Sequence, residues 1–152
     1  MMDVTSTTNT RTVIANVING FPCGHKSPTL TPEPYSLENI LSIVSIINSY
    51  TYDFIIRSKL GGQSLIWGVL EETVLSRDVI LRKENLLHLV INLVFTKTMF
   101  AQDWIKLKSV LNFKQSWYQL WAITPHERLR IRCILDAIIA ELYVDLFGNV
   151  VD

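Results

Sequence analysis

Apolar residues recur at three- and four-residue steps along most of the chain after residue 35, the spacing of one helix face. The first such stripe runs from Leu37 to Phe54, Ser36 can cap its start, and a glycine pair after Lys59 can end it. The isoleucines and valines also suit a strand, but roughly twenty residues without a turn signal are too long for one. We therefore predict a first helix from Ser36 to about Lys59.

Three more helical segments follow, joined by short connections. They cover residues 63–75, residues 78–100 with Asp78 as the cap, and residues 103–122 with a break near Asn112. The apolar positions of the segment over residues 78–100 predict a central helix.

The last helix has the strongest local signals. Thr124 and Glu127 have the spacing of a capping box, Pro125 is at the first helical position, and Gly148 can end the helix. Only two narrow polar stripes interrupt its apolar surface, so we predict a helix that packs on more than one side. The side chains expected to be fully buried are Ile134, Leu135, Ile138 and Leu142.

These segments show no alternation of strands and helices, and they predict an all-α fold, a bundle of about five helices over residues 35–152. Residues 1–34 differ, because they hold nine Ser or Thr, four of the five prolines and only four charged residues. We expect a flexible arm that is dispensable for folding. Its apolar run from Val13 to Ile18 is the part best suited to pair as a strand or to dock on the helices.

Composition narrows the classes of protein. A chain of 152 residues with 49% apolar and 18% charged residues forms one folded domain. Its formal net charge of zero excludes binding to nucleic acid or anionic lipid through the field of the whole chain. Two cysteines, no Asn-x-Ser/Thr sequon and no apolar run of the ~20 residues that span a bilayer favour an intracellular protein without a transmembrane helix.

The residues that usually carry chemistry are scattered. Cys23 and His25 resemble half of a zinc site, but His126 and Cys133 lack the spacing of a second half, and we expect a flexible Cys23 and a core Cys133. His88 has the neighbours of a histidine at the core edge. Since no nucleophile elbow, phosphate-binding loop or paired helical carboxylates occur, the sequence predicts no enzyme, no metal and no cofactor.

The strongest local signal of a binding function lies between Lys97 and Arg132. This stretch contains seven cationic residues and two carboxylates, which gives a local charge of +5. Trp104, Trp117, Tyr118 and Trp121 are interleaved with these cations. Cations steer a partner and indoles supply contact area, so we predict a partner-binding surface, with Trp104 in the core. The predicted binding residues are Lys106, Lys108, Lys114, Trp117, Trp121, Arg128, Arg130 and Arg132.

The order of features in the last sixty or so residues resembles the C accessory proteins of paramyxoviruses. An apolar helix is followed by Ser116-Trp117, then by the run from Ile123 to Glu127, then by a long apolar helix, and a Ser/Thr/Pro-rich arm precedes them all. The morbillivirus and henipavirus group is most similar, and a virus of a small mammal such as the tree shrew fits. C proteins of that group often carry a basic cluster in the arm, whereas this arm has only Arg11 and Lys26.

This resemblance implies a non-structural virulence factor that is translated from a frame overlapping the phosphoprotein gene. Such a protein antagonises the interferon response and modulates viral RNA synthesis by binding host interferon-pathway proteins and the viral polymerase complex. It implies the host cytoplasm as the location and leaves nuclear entry open.

Two other functions are compatible with the residues. A Bcl-2-like apoptosis regulator would bind a helix in a groove, but of its Asn-Trp-Gly-Arg signature only Trp67-Gly68 is present. An RNA-binding helical module would use the cations between Lys97 and Arg132, and its binding would fall steeply with salt.

Overall fold

The computed structural model describes residues 9–62, 65, 67–75 and 83–148. Within these residues the protein is all helical, as predicted, with seven α-helices and no strand. The α-helices are α1 (Leu37–Ile47), α2 (Tyr50–Lys59), α3 (Trp67–Glu71), α4 (Lys83–Val94), α5 (Ala101–Val110), α6 (Trp117–Leu120) and α7 (Pro125–Gly148), with a 3-10 turn at Thr98–Phe100. The predicted start of the third segment at Asp78 lies outside the described residues.

The predicted first helix is two helices. Ser36 caps α1 as expected, since its Oγ accepts a hydrogen bond from the Asn39 amide at 3.3 Å. Ser49 then caps a new helix, because its Oγ accepts from the Tyr52 amide at 3.2 Å, and the chain bends by 65° between α1 and α2. A continuous helix to Lys59 was therefore wrong. The apolar stripe continues through Ser49 and hides the cap.

The core has two connected parts, and α4 belongs to both. On one side Leu86 packs in a cluster with side chains of α1, α2 and α7. On the other side Leu87 and Val90 pack with Leu41 of α1 and with Trp104 of α5. The helix over this segment is central, as predicted, but it ends at Val94 instead of residue 100.

Part of the predicted arm is built into this core. Thr12 and Val13 are buried, and their backbone amides donate to Oδ1 of Asp53 at 2.7 and 2.8 Å. The Asn48 side chain binds the backbone of Ala15 twice: its Oδ1 accepts from the Ala15 amide at 3.0 Å, and its Nδ2 donates to the Ala15 carbonyl at 2.8 Å. Residues 11–17 of the predicted arm therefore pack on the helices, and docking of the apolar run, one of its two predicted roles, is observed. The boundary at residue 34 stays a prediction.

The break predicted near Asn112 is present. Helix α5 ends at Val110, and Asn112 has a φ of 55°, in the left-handed region that asparagine tolerates better than most residues. The Phe113 amide then donates to the Lys108 carbonyl at 3.1 Å, which closes the helix end. The chain reverses here, so that Phe113 returns to the face of α5.

Helix α7 buries one face rather than several. Leu135 and Leu142 are buried as predicted, but Ile134 and Ile138 are only half-buried. Cys133, expected in the core, is exposed together with neighbours on the opposite face, because α2 and α4 pack against a single side of the helix. Among the side chains of α7 that the structure describes, up to Val144, the large apolar ones that are exposed are Leu129 and Val144.

The capping box at the start of α7 is confirmed. The Glu127 amide donates to Thr124 Oγ1 at 3.2 Å, and Glu127 Oε2 accepts from both the Oγ1 and the amide of Thr124, at 2.8 and 3.2 Å. These hydrogen bonds from the Thr124 side chain and backbone lower the pKa of Glu127. The ionised form of Glu127 is therefore favoured in the folded state.

We expect the Thr124→Ala variant to melt below the wild type at neutral pH, with a gap that narrows as pH falls. A lowered carboxyl pKa in the folded state adds stability above the unfolded pKa, and that stability is lost as pH falls through the folded pKa. Melting followed by circular dichroism from pH 7 to pH 3 measures the gap. A gap of constant size would mean that Glu127 contributes nothing through its charge.

Among the described residues, no single helix is long and apolar enough to cross a membrane. Helices α1 and α2 pass that test only as a pair, bent by 65°.

Candidate functional site

The eight predicted binding residues do not form one surface. Lys106, Lys114, Trp117, Arg130 and Arg132 are exposed, while Lys108, Trp121 and Arg128 are half-buried. The lysines and tryptophans lie on α5, on α6 with its C-cap Trp121, and in the turn between the two helices. The arginines lie on α7, where Arg128 and Arg132 share one side of the helix and Arg130 lies on another.

A chain of aromatic rings runs from the core to the surface through α5 and α6. Trp104 is buried, as predicted, and stacks on Phe113 with ring centroids 5.8 Å apart. The Trp104 ring also packs edge to face against Trp121, with centroids 5.9 Å apart. The Trp121 centroid in turn lies 4.7 Å from the centroid of Trp117. Tyr118 ends the chain at 5.7 Å from Trp117. Trp117 is 48% exposed and Tyr118 is 65% exposed, so large rings reach solvent while their neighbours hold them in place.

Local sequence explains why these rings are exposed. Helix α6 has only four residues, and Ser116 and Gln119 form a capping box at its start. The Trp121 amide donates to the Trp117 carbonyl at 2.8 Å and ends the helix there. One short turn cannot direct Trp117, Tyr118 and Trp121 to the same side, and only Trp121 reaches the core.

The cations of α5 and of the turn after it belong to the same stretch of the chain as these rings. Lys108 and Lys114 lie on either side of Phe113 along the chain, and Lys106 is exposed one turn from the end of α5. Ile105 and Val110 are exposed on the same helix, at 66% and 65%. We call this region, Lys106, Lys108, Lys114, Trp117, Tyr118 and Trp121, the basic-aromatic surface. Tyr118 was not among the predicted binding residues, although its position next to Trp117 indicates a second exposed ring at the same place.

The Arg128 side chain is used within the fold, where it links two segments of the backbone. Its Nη1 donates to the carbonyls of Leu93 and Ala122, each at 3.1 Å, and so joins the end of α4 to the connection before α7. Burial, and then the nearby charge of Arg132, lower the pKa of Arg128. A guanidinium used in this way is not a free contact for a partner.

A cavity of about 640 Å³ lies where the N-terminal segment crosses α1, the end of α4 and α7. Among its lining residues are four cations, Arg11, Lys97, Arg128 and Arg132, and one carboxylate, Asp136. Of these, only Arg128 and Arg132 were among the predicted binding residues. Arg11 was not predicted, because 125 positions separate it from its partner Asp136 and no local pattern indicates such a contact. We call this the basic cavity.

The residue types that could bind a metal ion are not brought together in the described part of the structure. Within the described residues, no group of three or more His, Cys, Asp or Glu side chains is placed to hold a metal ion. The His88 ring packs edge to face on Phe113 with centroids 4.5 Å apart, a position at the core edge. Trp67 and Gly68, the remnant of the Bcl-2-like signature, lie in the short helix α3 and line neither the basic cavity nor the 310 Å³ cavity beside it.

No protein-family model, curated protein or solved structure matches the chain. The likeness to paramyxovirus C proteins therefore rests on the pattern of residues alone.

Proposed function

We propose that this protein is a viral accessory protein that acts by binding other proteins through the basic-aromatic surface. The observation that carries the proposal is the chain of rings that begins at buried Trp104 and ends at exposed Trp117 and Tyr118, in a stretch of the chain that also holds three lysines. The resemblance to paramyxovirus C proteins supplies the partners: host interferon-pathway proteins and the viral polymerase complex. Binding them would antagonise the interferon response and modulate viral RNA synthesis.

Neighbouring rings fix the exposed Trp117 side chain before any partner binds. An exposed tryptophan held by neighbouring rings loses little side-chain entropy when a partner covers it, and aromatic residues of this kind dominate binding energy at protein interfaces. Trp117 is held on one side by Trp121 and on the other by Tyr118. None of the ion pairs among the described residues involves Lys106, Lys108 or Lys114. The charge of these lysines is therefore available to an acidic protein surface.

The same geometry favours a protein over RNA. Single-stranded nucleic acid binds along aromatic side chains on which successive bases stack. Here the planes of Trp117 and Tyr118 are perpendicular, at 89°, and those of Trp117 and Trp121 differ by 45°, so successive bases have no parallel set of faces. A net charge of zero also leaves little attraction for a polyanion.

Reversal of Lys106, Lys108 and Lys114 to Glu tests the proposal. We expect the triple variant to lose suppression of an interferon-response reporter and inhibition of a viral minigenome, while its circular dichroism and melting stay unchanged. Lys106 and Lys114 are exposed, and each should change folding stability by no more than about 0.5 kcal/mol, whereas like charges across an interface cost several kcal/mol. Because Lys108 is half-buried, loss of melting would be resolved with the triple Met variant, which removes the charges and keeps an unbranched stem of similar length.

The matched control is Lys59→Glu with Arg130→Glu, a reversal of two exposed cations outside both the basic-aromatic surface and the basic cavity. It should keep suppression in these two assays. Full activity of the triple lysine variant would contradict the proposal. Binding of single-stranded RNA with a log-log salt slope steeper than about −3 would favour the RNA-binding alternative.

A further inference from the structure

The basic cavity holds positive charge that the protein itself does not neutralise. Arg11 is paired with Asp136 at 3.3 Å, and its guanidinium lies 3.4 Å above the Tyr50 ring. The other three cations lining the cavity have no carboxylate partner among the described residues. Arg128 donates only to neutral carbonyls, and Lys97 and Arg132 extend into solvent at the cavity edge.

The interior of the cavity is apolar. Side chains from the end of α4, the 3-10 turn and α7 line it, and the apolar ones among them are Val90, Leu93, Val94, Met99, Phe100 and Leu135. Low-dielectric walls focus the field of nearby charges, so the uncompensated cations raise the local concentration of anions. An inorganic anion would satisfy the charges but would leave the apolar walls in contact with water.

The outer wall of the cavity is the N-terminal segment. Burial alternates along it: Val13, Ala15 and Val17 face the helices, while Ile14, Asn16 and Ile18 are exposed. Ile14, Ile18, Phe21 and Met99 all line the cavity and are 40 to 62% exposed. A ligand in the cavity would therefore bury large apolar side chains as well as meet cations.

We propose that the basic cavity binds a short acidic segment of a partner protein, one that combines carboxylates with large apolar side chains. The carboxylates pair with Lys97 and Arg132 at the edge, and the apolar side chains enter between the N-terminal segment and the end of α4. A volume of about 640 Å³ lies in the range of about 300–1,000 Å³ found for small-molecule sites, so the cavity has room for a few side chains of such a segment. This site is separate from the basic-aromatic surface, and it does not depend on the function proposed for that surface.

The probe is a random library of displayed 12-residue peptides, selected on the full-length protein. We expect the selected peptides to be enriched in Asp or Glu together with Leu, Ile, Phe or Trp. Two variants test the location: Lys97→Glu with Arg132→Glu reverses the edge charges, and Val94→Trp fills the interior. Each should weaken binding of the selected peptides at least about tenfold, since like charges and lost cavity volume both oppose the ligand. The triple lysine variant of the basic-aromatic surface should bind them as tightly as the wild type.

A charge exchange keeps the test independent of small losses in stability. A selected peptide with its carboxylates replaced by Lys should bind the Lys97→Glu, Arg132→Glu protein more tightly than it binds the wild type. If Val94→Trp does not fold, amide hydrogen exchange on the wild type with bound peptide takes its place, and protection should increase over residues 14–18 and 93–97. Several outcomes would overturn the proposal: no enrichment, selection of basic peptides, peptides that bind both cavity variants unchanged, or protection elsewhere. Failure of the lysine variant in the reporter assays, by contrast, bears only on the basic-aromatic surface.

Discussion

Replacement of Asp53 by Asn is expected to lower the free energy of unfolding by about 2–4 kcal/mol, because it removes a buried charge that three donors share. Oδ1 of Asp53 accepts from the amides of Thr12 and Val13, and Oδ2 accepts from Arg57 Nη2 at 2.9 Å. An Asn amide group retains one acceptor only. Its NH₂ group must face either the two amides or the guanidinium, all of which are donors.

Urea denaturation followed by circular dichroism measures this loss. The matched control is Glu71→Gln, the same change from carboxylate to amide at an exposed helical position, which should alter stability by less than about 0.5 kcal/mol. Equal effects of the two substitutions would mean that the N-terminal segment is not anchored through Asp53. Truncation of residues 1–34 would then also be harmless, whereas the structure predicts that it removes both amide donors and uncovers the core around Val13.

Ile139→Ala is expected to cost about 2–5 kcal/mol, while Val144→Ala should change stability by no more than about 0.5 kcal/mol. Ile139 is fully buried among the side chains of α1, α2 and α4, and its truncation leaves a cavity. Val144 lies on the same helix but is 67% exposed. The contrast tests whether α7 packs on one side.

Thermal and urea unfolding of the two variants provide the comparison. A loss at Val144 as large as that at Ile139 would restore the prediction made from the sequence, a helix packed on more than one side. The exposed face of α7 would then be covered in solution.

Helix starts and breaks depend on residues close together in the chain, and for this reason several were predictable. The caps at Ser36 and Thr124 each involve an amide three positions away. The break at Asn112 depends on the backbone of that residue itself. Ser49 has the same local chemistry as Ser36, but the surrounding apolar stripe favours a continuous helix and only the packing of α2 shows the bend.

The candidate site was predictable in part. The pattern of cations and indoles identified the stretch from Lys97 to Arg132, and it assigned Trp104 to the core correctly. It could not separate Arg128, which binds the carbonyls of Leu93 and Ala122, from cations that face solvent. Residue type is the same in both cases, and the difference lies in what a distant element places next to the side chain.

The sequence by itself determined the helical class, the caps at Ser36 and Thr124 and the region rich in cations and aromatic residues, because periodicity and capping act within about four positions. Tertiary structure alone decided which face of α7 is buried, since its apolar residues surround the helix and only the positions of α2 and α4 select a side. It also decided that residues 11–17 belong to the core, because the carboxylate that anchors them lies about forty positions away. The basic cavity exists for the same reason: Arg11, Lys97 and Arg132 meet only after the N-terminal segment, α4 and α7 have packed together.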